Sequence, residues 1–67
     1  METPTDNVIK LEAIREAISL RQSAILLYAH ALKIHQTNHD AAGALKIAAD
    51  FLNAEADKLT TPYKAAN

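Results

Sequence analysis

From Asn7 to about Gln36 apolar residues recur three and four positions apart with no glycine or proline among them, the period of an α-helix. Alternation with period two is absent throughout, so no strand is predicted. On a wheel of 100° per residue, Glu12, Arg15, Glu16, Ser19, Gln22, Ser23, His30 and Lys33 gather into one polar arc. The rest of the circumference, roughly 200°, is mostly apolar, against the ~100° stripe that one helical neighbour requires. Leu11, Ile14, Ile18, Ile25 and Leu32 form one bulky ridge and Ile9, Leu20, Leu27 and Ile34 another. Between them run Ala13, Ala17, Ala24 and Ala31. Two ridges flanking a groove of small residues suit two helical neighbours at once.

Local signals bound the elements. Thr3-Pro4-Thr5-Asp6 offers a capping hydroxyl, a proline where its missing N–H does no harm, and an acid three residues after the threonine. A first helix is therefore predicted over about 4–36. The polar run from His35 to Asp40 interrupts the pattern, with Asn38 suited to a left-handed conformation and Thr37 and Asp40 spaced as a capping box. A tight turn over about 36–39 follows, then a second helix over about 39–60, stopped by Thr60-Thr61-Pro62. Residues 61–67 read as a flexible tail. The predicted fold is all-α, a single-domain antiparallel two-helix hairpin over residues 1–67.

The second helix supplies only one neighbour for the first, through Ala41, Leu45, Ala48, Ala49, Leu52, Ala56 and Leu59. It is also about ten residues shorter, so Val8 to Ile14 overhangs it. Ile9, Ala13, Ala17, Leu20, Ala24, Leu27, Ala31 and Ile34 are accordingly predicted to form an oligomer interface. The simplest closed solution is a homodimer of hairpins, a four-helix bundle with coiled-coil packing. A heterologous partner protein would satisfy the same surface. Composition strengthens the expectation: 67 residues leave too much surface wet for a comfortable monomer, and no cysteine is present to staple it. Fourteen of the 33 hydrophobic residues are alanine, which contributes far less burial than leucine or isoleucine.

Charge narrows the partners. The net charge is −1, and neither sign is gathered into a block. Nucleic acid and anionic membranes are unexpected partners without a basic face. The longest apolar run, Ala24 to Ala29, is too short to span a bilayer, and no charged start followed by an apolar stretch marks a secretory leader. A soluble cytoplasmic protein is expected. Neither the tetratricopeptide pattern of Trp, Gly, Tyr and Pro nor the basic face of an RNA-binding, Rop-type hairpin is present, so no family is assigned.

Few residues suggest chemistry. Arg21 falls in the inward series Leu11, Ile14, Ile18, Arg21, Ile25, Tyr28, Leu32, and Glu55 lies within the apolar arc of the second helix. With a turn near 37, position 21 stands opposite about 53, so Arg21 and Glu55 are predicted to form a structural ion pair. A sharper reading gives Arg21, with Tyr28 one heptad on, a small cavity that receives an anionic ligand or a partner's carboxylate. His35 and His39 are four apart, but the predicted turn separates them and His30 sits on the polar arc, so no metal site and no cofactor is expected. Ser19, Ser23 and the threonines stand beside no glycine-rich elbow, base or orienting acid, so catalysis is not expected. Tyr28 and Phe51 read as core or inter-subunit filler. Leu26, in the middle of the polar arc, and Tyr63, on the tail, are candidate partner contacts. The expected function is that of a small non-enzymatic interaction protein, a regulator or inhibitor docking a helical face on a partner. The alternatives are a module that sequesters a small anionic ligand between subunits, and a structural assembly subunit.

Overall fold

A computed structural model describes the backbone of residues 4–63 and the side chains of residues 7–63. Helix α1 spans Pro4–Ile34 and helix α2 spans His39–Thr60, followed by a single 3-10 turn, Thr61–Tyr63. The two helices pack along their length as an antiparallel hairpin, as the periodicity predicts. Thr3, the predicted first cap, and residues 64–67 lie outside the described residues.

The turn differs in detail from its prediction. α1 ends at Ile34, two residues early, because several donors converge on its last carbonyls. The amides of Thr37 and Asn38 donate to the Ile34 carbonyl at 3.0 and 2.7 Å, and the Thr37 hydroxyl reaches the same oxygen at 3.1 Å. His35 Nδ1 donates to the Leu32 carbonyl at 2.8 Å. These groups satisfy carbonyls that a helix end leaves without partners. Asn38 is not left-handed: its φ of −147° and ψ of 80° place it as the N-cap of α2, with its side-chain oxygen accepting from the Ala41 amide at 3.1 Å. The cap thus falls one residue after the predicted Thr37, whose hydroxyl is already committed to α1. α2 ends where the Thr60 and Thr61 hydroxyls donate to the Ala56 and Asp57 carbonyls, just before Pro62.

The seam between the helices is built from alanine. Ala17, Ala24 and Ala31 meet Ala42, Ala49 and Ala56, three from each helix at intervals of seven, with exposures from 0% to 6%. Among the described residues no larger side chain is buried. Small side chains at the point of closest approach let the two backbones come together. Leu20, Leu27, Ile34, Leu45, Leu52 and Leu59 are each only partly buried. Each stands three positions beyond a seam alanine, about 60° around the helix, so all six open onto one broad side of the hairpin, here called the leucine face.

This arrangement corrects the predicted oligomer interface. Ala17, Ala24 and Ala31 are taken up inside the hairpin, because α2 occupies the groove of small residues rather than one of the flanking ridges. Each ridge therefore opens onto a different face. On the side opposite the leucine face, Leu11, Ile18, Ile25 and Leu32 remain 55%, 51%, 65% and 73% exposed. α1 has 31 residues and α2 has 22, and in the overhang Val8 and Ile9 are also about half exposed. Phe51, expected to be filler, is exposed on the back of α2.

Candidate functional site

One position after each seam alanine the chain turns onto the face opposite the leucines. On α1 those positions hold Ile18, Ile25 and Leu32, and on α2 they hold Gly43, Asp50 and Asp57. Between them, side chains of α1 reach across the seam. Arg21 Nη2 donates to Asp57 Oδ1 at 2.6 Å, and the Tyr28 hydroxyl donates to Asp50 Oδ1. Both pairs, 21 with 57 and 28 with 50, are centred on position 39, two residues beyond the midpoint that the sequence suggests.

That shift redirects the predicted ion pair. Arg21 pairs with Asp57 and not with Glu55, whose carboxylate instead accepts from Lys58 at 3.3 Å on its own helix. Positions 55 and 57 are about 200° apart around α2, so Glu55 points toward the leucine face and away from Arg21. Arg21 is also not a core charge: the side chains of Arg21 and Asp57 are 42% and 58% exposed, so the pair is a solvated bridge at the seam's edge. Tyr28 is partly buried beside it. Arg21 and Tyr28, the residues of the sharper anion-site reading, thus each give a donor to a carboxylate of α2.

At the closed end of the same face lies a groove of 580 Å³ lined by Tyr28, Ala31, Leu32, His35, His39, Ala42, Gly43 and Lys46. Its polar side chains are those of Tyr28, His35, His39 and Lys46, and no carboxylate lines it. Lys46 makes no ion pair with a described residue. The histidines, separated by the turn as expected, come together on this groove without forming a metal cluster: no group of three or more potential ligands exists among the described residues. Sequence reading missed the groove, although it carries a signal, the lone glycine inside α2.

The two proposed contact residues, Leu26 and Tyr63, do not line it. Leu26 is 70% exposed on the back of α1, as its place in the polar arc implies. Tyr63 is partly buried within the 3-10 turn rather than on a loose tail. No described helix is long and apolar enough to cross a membrane. Comparison with family models, curated proteins and solved structures finds no match to the chain.

Proposed function

We propose that this chain is a small non-enzymatic interaction protein that self-associates as a two-fold dimer of hairpins and docks a helical face on a partner protein. The observation that carries the reading is the poverty of the core: among the described residues six alanines are buried, while every leucine and isoleucine keeps part of its surface in water. Burying an alanine contributes on the order of 0.8 kcal/mol, against about 1.5–3 kcal/mol for leucine or isoleucine. Most of the burial that this sequence can supply is therefore still unused in one hairpin.

The leucine face suits a second copy. Leu20, Leu27 and Ile34 from α1 and Leu45, Leu52 and Leu59 from α2 form a continuous apolar layer to which both helices contribute, the surface a four-helix bundle closes on. Ile9 and Ala13 extend it along the overhang. The opposite face differs, since only α1 is apolar there and α2 presents Asp50 and Asp57. The Leu11–Leu32 ridge suits a single helix of another protein.

Sedimentation equilibrium at micromolar concentration tests the dimer. The expected mass is twice the 7.3 kDa of the chain, falling to one chain when Leu27 and Leu52 are both replaced by lysine. A monomer that stays folded at those concentrations would sink the reading.

A further inference from the structure

The bridges across the seam form a ladder with one rung incomplete. Arg21, Tyr28 and His35 stand one heptad apart along α1 and its exit, and Asp57, Asp50 and Gly43 stand one heptad apart along α2. The first two rungs close with a donor from α1 and a carboxylate from α2. On the third, His35 and Gly43 line the same groove, and no carboxylate is there. We propose that this groove binds a small amphipathic carboxylate, whose head group stands where Asp50 and Asp57 stand on the other rungs.

Charge and shape both support this occupant. His35, His39 and Lys46 line the groove, and the carboxylate one turn beyond Lys46, that of Asp50, is turned to Tyr28. Nδ1 of His35 donates to the Leu32 carbonyl, so Nε2 of the neutral ring is an acceptor, and it is Lys46 that supplies the positive charge for the carboxylate. The Tyr28 ring, Ala31, Leu32 and Ala42 supply apolar wall for the ligand's body. The volume lies within the range of small-molecule sites, about 300–1,000 Å³.

Gly43 is the place on the third rung where α2 carries no side chain. Glycine inside a helix is the poorest choice after proline, and no glycine in the described chain has a positive φ that would call for it. A Cβ at this position would meet nothing within 4 Å, so packing does not demand glycine either. The inference rests on one hairpin and not on dimerisation, and its test uses positions away from the leucine face.

The test is a titration of the full chain with sodium decanoate, followed residue by residue through amide NMR shifts, with decanol and a decyl ammonium salt as neutral and cationic controls. Decanoate should move the amides of His35, His39, Gly43 and Lys46 with a dissociation constant tighter than about 1 mM, and decanol should bind at least about tenfold more weakly. Gly43→Asp, which supplies the missing carboxylate from within the chain, should weaken decanoate at least about tenfold, as should Lys46→Gln, whereas Gly43→Ala should retain it. Equal binding of decanol, shifts spread evenly along the Leu11–Leu32 ridge, or no shift at all would each overturn the proposal. So would shifts of these amides on raising protein concentration without decanoate, which would assign the groove to a second copy.

Discussion

Positions 24 and 25 are neighbours in sequence and opposites in fate. Ala24 is 1% exposed at the centre of the seam, while Ile25, one step on, is 65% exposed. The same contrast recurs at 17 and 18 and at 31 and 32. In a globular core the larger apolar residue is normally the one taken inside, because burial energy scales with area. Here geometry wins over area. Two helices approaching along alanines bring their backbones closer than isoleucines would allow, and the leucines three positions away then close partly over the gap. The lesson is that a wide apolar arc does not announce which of its stripes will be used; side-chain volume decides.

The largest effect should follow from violating that volume rule. Ala24→Leu adds apolar surface and keeps strong helix propensity, so a reading based on hydrophobicity alone would expect a gain. The seam has no room for it. Overpacking a close contact costs about 1–3 kcal/mol, and a domain this small has little stability to lose. Urea unfolding followed by circular dichroism should show the loss directly. An unchanged or raised midpoint would mean that the helices are not in close contact at position 24.

The contrast also marks how much was legible in the sequence. Helix type, the hairpin, the start of α2 at His39 and its end at Thr60 follow from periodicity and from Pro62, signals that act within a few residues. The allocation of stripes was not legible in the same way. It depends on which of two ridges or the groove between them receives α2, a comparison of packings rather than of residues. The Arg21 bridge was half legible: an arginine on the inner arc needs an acid, but the choice between Glu55 and Asp57 rests on a register shift of two residues. The closed-end groove escaped because its lining is drawn from three elements, the end of α1, the turn and α2. Its one local signal was Gly43, a residue whose meaning is only clear once the surrounding space is seen.

Gly43 gives the next effect in size, and it runs the other way. It stands one position beyond buried Ala42, as Ile25 stands beyond Ala24, yet on this helix the outer stripe lacks a side chain. Gly43→Ala should stabilise the protein by about 0.5–1 kcal/mol, since alanine restricts the unfolded chain and meets no atom within 4 Å. For a chain of this size that corresponds to a rise of about 4–8 °C in Tm per kcal/mol. A fall would reveal a close neighbour at the groove, such as a second copy.

A smaller effect is expected from the bridge that joins the two outer stripes. Arg21→Met removes an ion pair whose partners are 42% and 58% exposed, and such pairs contribute about 0–1 kcal/mol. The methionine stem keeps the apolar contact made by the arginine chain, and helix propensity is nearly unchanged. Thermal melts of wild type and variant should differ little, and the difference should shrink further in high salt. A loss of several kcal/mol would show that Arg21 is buried in solution, within an assembly that covers this face.

The smallest effect closes the comparison at the pair where it began. Ile25→Ser exchanges an exposed isoleucine for a residue of similar helix propensity, so the folding free energy of one hairpin should stay within about 0.5 kcal/mol of wild type. At position 24 a single addition should cost several times more, one residue away on the same turn. The variant also separates the two faces. If the dimer closes on Leu27 and Leu52, sedimentation equilibrium should give the same association constant for Ile25→Ser as for wild type. Loss of the dimer would place the self-contact on the Leu11–Leu32 ridge, and the leucine face would then be the side left for a partner.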